Sequence, residues 1–343
     1  MAKLFKRKEV ETASMDAAEN AIANKEVEGL SQRQIVFKRF IHHRAAMIAL
    51  FSLFFITLIV YTSLDFKLGP WKIHGWWKYK VTDIPELRYK ECPGQVIGCP
   101  TLKLFPPSLG EHPFGQDDIG RDYLALVMRG AQRSLMVAFV IGVLGGVIGT
   151  IVGAISGFYR GVVDSVLMRL VDFVITVPAI IIGSVIGYRY GNLGAGFLAI
   201  YLGLFSWTGL SRLVRGEFLK LREMEFVDAA RVAGAANRRI IFKHILPNAV
   251  GIIIVSVTLL MSSAILLETA LSYIGFGVVA PDVSLGLLIS TYQDSFTSRP
   301  FLFWWPGFFI ISIALSINFI GDGLRDAFDP RQRRRVSRKE RGK

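Results

Sequence analysis

"SLMVAFVIGVLGGVIGTIVGAISGFY", residues 134–159, runs for 26 residues without a charged side chain. About 20 such residues, wound as a helix, cross the hydrocarbon core of a bilayer. Within the stretch Gly145, Gly149, Gly153 and Gly157 recur every four residues. That spacing places all four on one helix face, where a second helix backbone can approach closely. Close packing is the plain reading; a moving helix–helix contact would need the same face.

The same signal repeats on both sides. Uncharged apolar runs occupy 45–64, 193–210, 249–267 and 301–320, and a sixth, 170–188, carries only Asp172 near its start. Six runs of this length predict an all-α membrane protein with six transmembrane helices. The composition agrees: 52% of the 343 residues are hydrophobic and the mean hydropathy is +0.43. A soluble chain of this length, whose surface must carry charge, is excluded. Pro178 predicts a kink in the third span. Glu268, at the end of the fifth, is a membrane carboxylate, and two readings stand: a functional group, or simple solvation near the span's outer end.

Lysine and arginine give the orientation. Nine lie in the first 44 residues, eight in 212–243 and nine after Gly321; with Arg160 and Arg169 these make 28 of the 40. Six alternating spans put all of them on one side, so both termini and the 212–247 loop are expected in the cytoplasm. The net charge of +13 follows from this bias and suits anionic lipid headgroups. Nucleic-acid binding by the basic end "DPRQRRRVSRKERGK" is the weaker reading, because the segment directly follows a membrane helix.

The organisation read from this is a polar tail at 1–30, an amphipathic interfacial helix at 31–44 and the first span at 45–64. An extracytoplasmic loop at 65–133 follows, then a transmembrane core at 134–322 holding the 212–247 loop, and a basic tail at 323–343. The start of the chain is basic but has no apolar stretch, so no cleavable signal is expected. In "SQRQIVFKRFIHHR", Ser31 is the expected helix cap. Val36, Phe37, Phe40 and Ile41 share one face, as in a helix lying in the membrane interface. Adjacent His42 and His43 point in different directions on a helix, which argues for solvation and against a metal pair.

Both cysteines of the chain, Cys92 and Cys99, lie in the long outer loop around a Pro-Gly turn. A disulfide is expected there, on the oxidising side, with two free thiols as the alternative. No second cysteine or histidine pair makes a zinc site. The chain has no glycine-rich phosphate loop and no H-E-x-x-H. No cofactor, no metal and no enzymatic activity of its own are expected.

One segment is too elaborate for a connector. In "EFVDAARVAGAANRRIIFKHILPN", residues 225–248, Phe226, Ala229, Ala230 and Ala233 share one face of a short helix. Glu225 and Asp228 sit in its first turn, where they favour the dipole. Gly234 suits its C-terminus, and Pro247 opens the fifth span. An apolar face on a polar loop needs a partner; packing against this chain's own helix ends is the alternative.

The stretch resembles the cytosolic loop of ABC-importer permeases: Glu-Ala-Ala, three residues, Gly, nine residues, an apolar residue, one residue, Leu-Pro. Here Asp228, Ala229 and Ala230 fill the first three places, Gly234 the fourth, and Leu246 and Pro247 the last two. Asp228 replaces the glutamate and His244 takes the apolar slot. "HPFGQDDIGRDYLALVMRGAQRSL" (112–135) and "ALSYIGFGVVAPDVSLGLLI" (270–289) are similar to segments of the dipeptide/oligopeptide/nickel permeases. The likeness runs from about Gln32 to Pro330.

The resemblance implies a type I ABC importer permease fold, the second permease of its pair, in a bacterial or archaeal plasma membrane. It implies as partners a homologous permease, two ATP-binding subunits that hydrolyse ATP, and an extracytoplasmic solute-binding protein. The coupling helix would be Glu225–Gly234 and the cargo peptides, with nickel complexes or other small solutes as the alternative. A secondary transporter predicts ionisable residues along the spans or two similar halves; the spans hold almost none, and no clear internal repeat is found. A membrane anchor for a cytosolic complex leaves the glycine face and outer loops without a purpose.

Overall fold

The computed structural model describes residues 32–68, 71–85, 98–102 and 110–328. The 1–30 tail, Ser31, Cys92 and residues 329–343 of the basic tail lie outside them. Among the described residues, five helices are long and apolar enough to cross a membrane, or six spans if a bent helix pair is counted as one.

Helix α1 (Gln32–His42) meets α2 (Arg44–Ser63) at a break on His43. His43 is extended, and its Nδ1 accepts the Ala46 amide at 3.1 Å, which caps α2. Its Nε2 lies 3.4 Å from Asp326. His42 is exposed as expected, but His43 is thus a cap and not a solvated interfacial residue. After α2 a small antiparallel hairpin, β1 (Phe66–Leu68) and β2 (Trp71–Ile73), interrupts the helical architecture.

Helix α3 (Tyr123–Tyr159) has 37 residues and begins eleven positions before its uncharged run. The loop before it, read from the sequence as 65–133, therefore ends at Asp122. Asp122 caps the helix, accepting the Ala125 amide at 2.8 Å. The early start is tolerated because protein covers the polar turns. Gln132 donates to the Val60 carbonyl at 2.8 Å, and Arg133 pairs with Asp282 at 2.9 Å.

The third span is α4 (Gly161–Thr176) and α5 (Ala179–Tyr190), bent by 69° at Val177–Pro178. Proline has no N–H to continue the ladder, so the expected kink falls here. Its one apolar-run charge, Asp172, pairs with Arg212 at 2.5 Å. Helices α6 (Ala195–Phe205) and α7 (Thr208–Arg222) form one span that continues well past its apolar run. Val214, Phe218 and Leu221 are buried on the inward face of α7.

A short helix α8 (Glu225–Val232) precedes a helical turn, Asn237–Arg239, and a π-helix, Ile240–Ile245. Helix α9 (Leu246–Tyr273) starts immediately, with Pro247 in its first turn. Proline cannot donate backward and crowds the preceding carbonyls, which accounts for a loosened turn before it. Helices α10 (Leu285–Tyr292) and α11 (Phe301–Phe328) complete the bundle.

The glycine stripe is a close seam. A Cβ at Gly149 would stand 2.8 Å from the Trp207 carbonyl oxygen, at Gly153 2.5 Å from that of Ser211, and at Gly157 2.7 Å from that of Arg215. Both helices advance in steps of four, so α7 lies along the stripe. At Gly145 the intruding group would be Leu260, at 2.7 Å, with Ser206, between α6 and α7, at 3.6 Å.

Glu268 is fully buried. It accepts hydrogen bonds from Ser134 at 2.9 Å and Ser272 at 2.7 Å. The reading that set it in solvent at the span's end is therefore wrong: the segment after α9 folds back over it, and Ser284 reaches Ser272 at 3.3 Å.

Candidate functional site

The 225–234 segment stands where α3, α7 and α9 converge. Residues Ala154 and Phe158 of α3, Val214 and Phe218 of α7, Ile240, Ile241 and Ile245 of the π-turn, and Ala249 form one buried cluster. Helix α8 contributes Val227 and Ala230 to it. Ala230 is only 8% exposed, so it faces inward and not toward a partner. With these two residues the helix packs against the chain's own helix ends, the alternative left open for this segment. Val227, which the pattern did not single out, is its main anchor.

The opposite face is open. Phe226 is 39% and Val232 91% exposed, and Glu225, Asp228, Ala229 and Ala233 are exposed with them. Met224 and Phe242 add exposed apolar side chains before and after α8. Sequence periodicity had grouped Phe226, Ala229, Ala230 and Ala233 on one face. The structure keeps three of them outward and turns Ala230 in.

Glu225 and Asp228 lie in the first turn of α8, and Asp228 pairs with Arg231 at 2.8 Å. The helix stops in a Schellman motif. The Ala235 amide reaches the Ala230 carbonyl at 3.0 Å and the Gly234 amide that of Arg231 at 2.9 Å. Gly234 has φ +76°, a conformation that glycine adopts without a Cβ penalty. Space around it is open, with nothing within 4 Å of a would-be Cβ. Leu246 is half-buried and Pro247 exposed at the start of α9.

Ionic contacts brace the segment. Arg222, the last residue of α7, donates to the Phe158 carbonyl at 2.6 Å, and its guanidinium lies 5.7 Å from the Phe158 ring. Arg160 pairs with Glu223 at 2.6 Å. Arg215 grips Asp164 with two nitrogens, each at 2.6 Å, and the Ser156 hydroxyl also donates to Asp164. The turn from α3 to α4 is thereby tied to α7. None of these partners shows in a periodicity argument, because each is distant in sequence. The arrangement is mechanical: a small helix, bare outside and seated inside on the ends of three spans. Close-packed interiors transmit displacement and do not absorb it.

Elsewhere, Cys99 is disulfide-bonded, and its expected partner Cys92 lies outside the described residues. Among the described residues, no group of three or more His, Cys, Asp and Glu could hold a metal ion.

Comparison with known proteins adds three findings. Residues 149–334 match the family described as "Binding-protein-dependent transport system inner membrane component". The chain is 38% identical over 319 residues to the oligopeptide transport system permease protein OppC of Escherichia coli (strain K12), covering 93% of this chain and 97% of that one. It is 36% identical over 304 residues to the protein of the same name from Mycobacterium tuberculosis (strain ATCC 25618 / H37Rv), covering 88% and 96%. The fold is similar to that of a chain in an inward-facing structure of the MetNI methionine ABC transporter. There the TM-score is 0.50 at 20% identity, covering 60% of this chain and 96% of that one.

Proposed function

The chain belongs to the family of inner membrane components of binding-protein-dependent transport systems, and on that premise we propose that it forms half of the membrane pathway of an ATP-driven peptide importer. A second, homologous permease supplies the other half. Two ATP-binding subunits dock on the cytosolic side, and an extracytoplasmic solute-binding protein delivers the peptide. ATP hydrolysis belongs to the docked subunits, and this chain is not an enzyme. Both termini and α8 face the cytoplasm.

The single observation that carries this reading is the double character of α8. Its outer face offers Phe226, Ala229, Val232 and Ala233 to a partner, while Val227 and Ala230 seat it on α3, α7 and α9. A partner that moves α8 moves the cytosolic ends of these helices as a unit. Rigid-body rocking of packed helices then opens the pathway to one side or the other. The bend at Pro178 and the glycine seam between α3 and α7 supply places where packed elements can turn or slide. Peptide as cargo is supported by the relatives' names.

The test is ATP hydrolysis by the reconstituted complex, with the binding protein and either peptides or nickel chelates. Stimulation by peptides alone is the expected result. Stimulation by nickel chelates alone would exclude a peptide cargo, and hydrolysis indifferent to the binding protein would exclude the importer.

A further inference from the structure

A cavity of about 430 Å³ opens beside the end of α2, within the roughly 300–1,000 Å³ range of ligand sites. Its wall joins Asp65, the aromatic rings of Trp77 and Tyr79, and three cations, Lys78, Lys80 and Arg129. It lies at the other end of α3 from the docking face. Arg129 is in the second turn of a 37-residue helix whose last turns reach the α8 cluster.

The charges do not cancel. Asp65 is engaged: it accepts the Gly75 amide at 3.1 Å and lies 3.5 Å from His74. Lys78 stands 4.0 Å from Glu111, at the limit of an ion pair, and 4.7 Å from the centre of the Tyr79 ring. Arg129 is half-buried, and its hydrogen-bond acceptor is the neutral amide oxygen of Gln132 at 3.1 Å. Among the described residues no carboxylate forms an ion pair with Lys80 or Arg129. The neighbouring Arg133 adds positive charge, but it already holds Asp282 at 2.9 Å. A half-buried guanidinium that shares a cavity wall with two exposed lysines suits an oxyanion, to which such cations donate charge-assisted hydrogen bonds.

The setting selects the oxyanion. Helix α2 ends at Ser63, and Leu64 and Asp65 line the cavity. Trp76, 51% exposed, flanks it. Tryptophans and cations at the end of a span mark the depth of lipid headgroups. We propose that this cavity binds a phosphate oxyanion, taken from a lipid headgroup or free in the medium, through Lys78, Lys80 and Arg129. The inference does not depend on the coupling role of α8.

Native mass spectrometry of the complex, purified with its partner subunits and supplied with phosphatidylglycerol, phosphatidylcholine or inorganic phosphate, tests it. Two double variants accompany the natural chain: Lys78→Gln/Lys80→Gln, which alters exposed side chains only, and the charge-keeping Lys78→Arg/Lys80→Arg. The natural chain and the arginine variant should retain one more phosphatidylglycerol than the glutamine variant, with occupancy differing at least five-fold and phosphatidylcholine unaffected. That result assigns the site to a headgroup. Displacement of the lipid by millimolar phosphate, or a phosphate-dependent rise in melting temperature lost in the glutamine variant, assigns it to free phosphate. Equal lipid retention and equal response to phosphate in all three proteins would overturn the proposal.

Discussion

Ser134 of α3 donates its hydroxyl proton to the fully buried Glu268 of α9 at 2.9 Å, 134 positions away in sequence. Ser272 donates to the other carboxyl oxygen at 2.7 Å and also accepts the Val278 amide at 3.1 Å. Helices α3 and α9 meet on one carboxyl group, and the segment at Val278 joins it through Ser272. Removing it leaves buried hydroxyls without an acceptor, whereas an amide of the same shape can still answer them. Glu268→Ala should therefore cost about 2–3 kcal/mol and Glu268→Gln under about 1 kcal/mol. Melting temperatures of the purified complex measure both, and equal losses would show that hydrogen bonding at this site is not what matters.

The glycine seam makes a sharper contrast. A Cβ at Gly153 would stand 2.5 Å from the Ser211 carbonyl oxygen, while at Gly209, on α7 itself, nothing lies within 4 Å. Gly153→Ala should then destabilise the chain by about 1–3 kcal/mol, the usual cost of overpacking. Gly209→Ala should be neutral or slightly stabilising, since alanine favours a helix. Thermal stability of the two single variants in detergent decides it, and a neutral Gly153→Ala would mean that α3 and α7 are free to separate.

What could be read from the sequence followed the solvent. The run 134–159 announced a span because lipid tolerates no unpaired charge along it. Residues Tyr123 to Arg133 of the same helix were hidden, because the partners of Gln132 and Arg133 are the Val60 carbonyl and Asp282. Such partners exist only in three dimensions. Of the two readings of Glu268, solvation failed for the same reason, its cover being a segment that folds back after α9. On α8, helical period grouped Ala230 with Phe226, Ala229 and Ala233. Which edge of that arc turns inward was decided by Phe218 and Ile241 in the cluster beneath it.

The cysteines give a chemical prediction. With Cys99 disulfide-bonded and two cysteines in the chain, the unreduced protein should show no alkylatable thiol by mass spectrometry. Two alkylated cysteines under non-reducing conditions would contradict the expected Cys92–Cys99 pairing.

Sidedness can be tested on intact cells. Single cysteines replacing Arg222 and Asp282, in a chain with Cys92 and Cys99 changed to serine, are probed with an impermeant thiol reagent. Arg222 closes α7 beside α8, and Asp282 lies near the other ends of the spans, where it meets Arg133 and the Ala195 amide at 3.3 Å. Labelling is expected at 282 and only after lysis at 222. The reverse pattern would put α8 outside and remove the basis for coupling.

The two faces of α8 separate coupling from folding. Val232, 91% exposed, touches little of its own chain, so Val232→Asp should leave the melting temperature unchanged. In a partner's cleft the same carboxylate would lose its water without gaining a partner, at a cost of several kcal/mol. Uptake should fall at least ten-fold, with ATP-binding subunits lost on purification. Gly234→Leu should act in the same direction through the backbone, because a leucine resists φ +76° by about 1–2 kcal/mol. Ala230→Glu is the control for the inward face: it drives a charge into the cluster with Phe218 and Ile241 and should lower the melting temperature itself. Loss of uptake in that variant alone would trace to folding. Normal uptake and normal retention of the ATP-binding subunits in Val232→Asp would mean that the exposed face of α8 meets no partner, and the lever proposed here would have nothing to pull it.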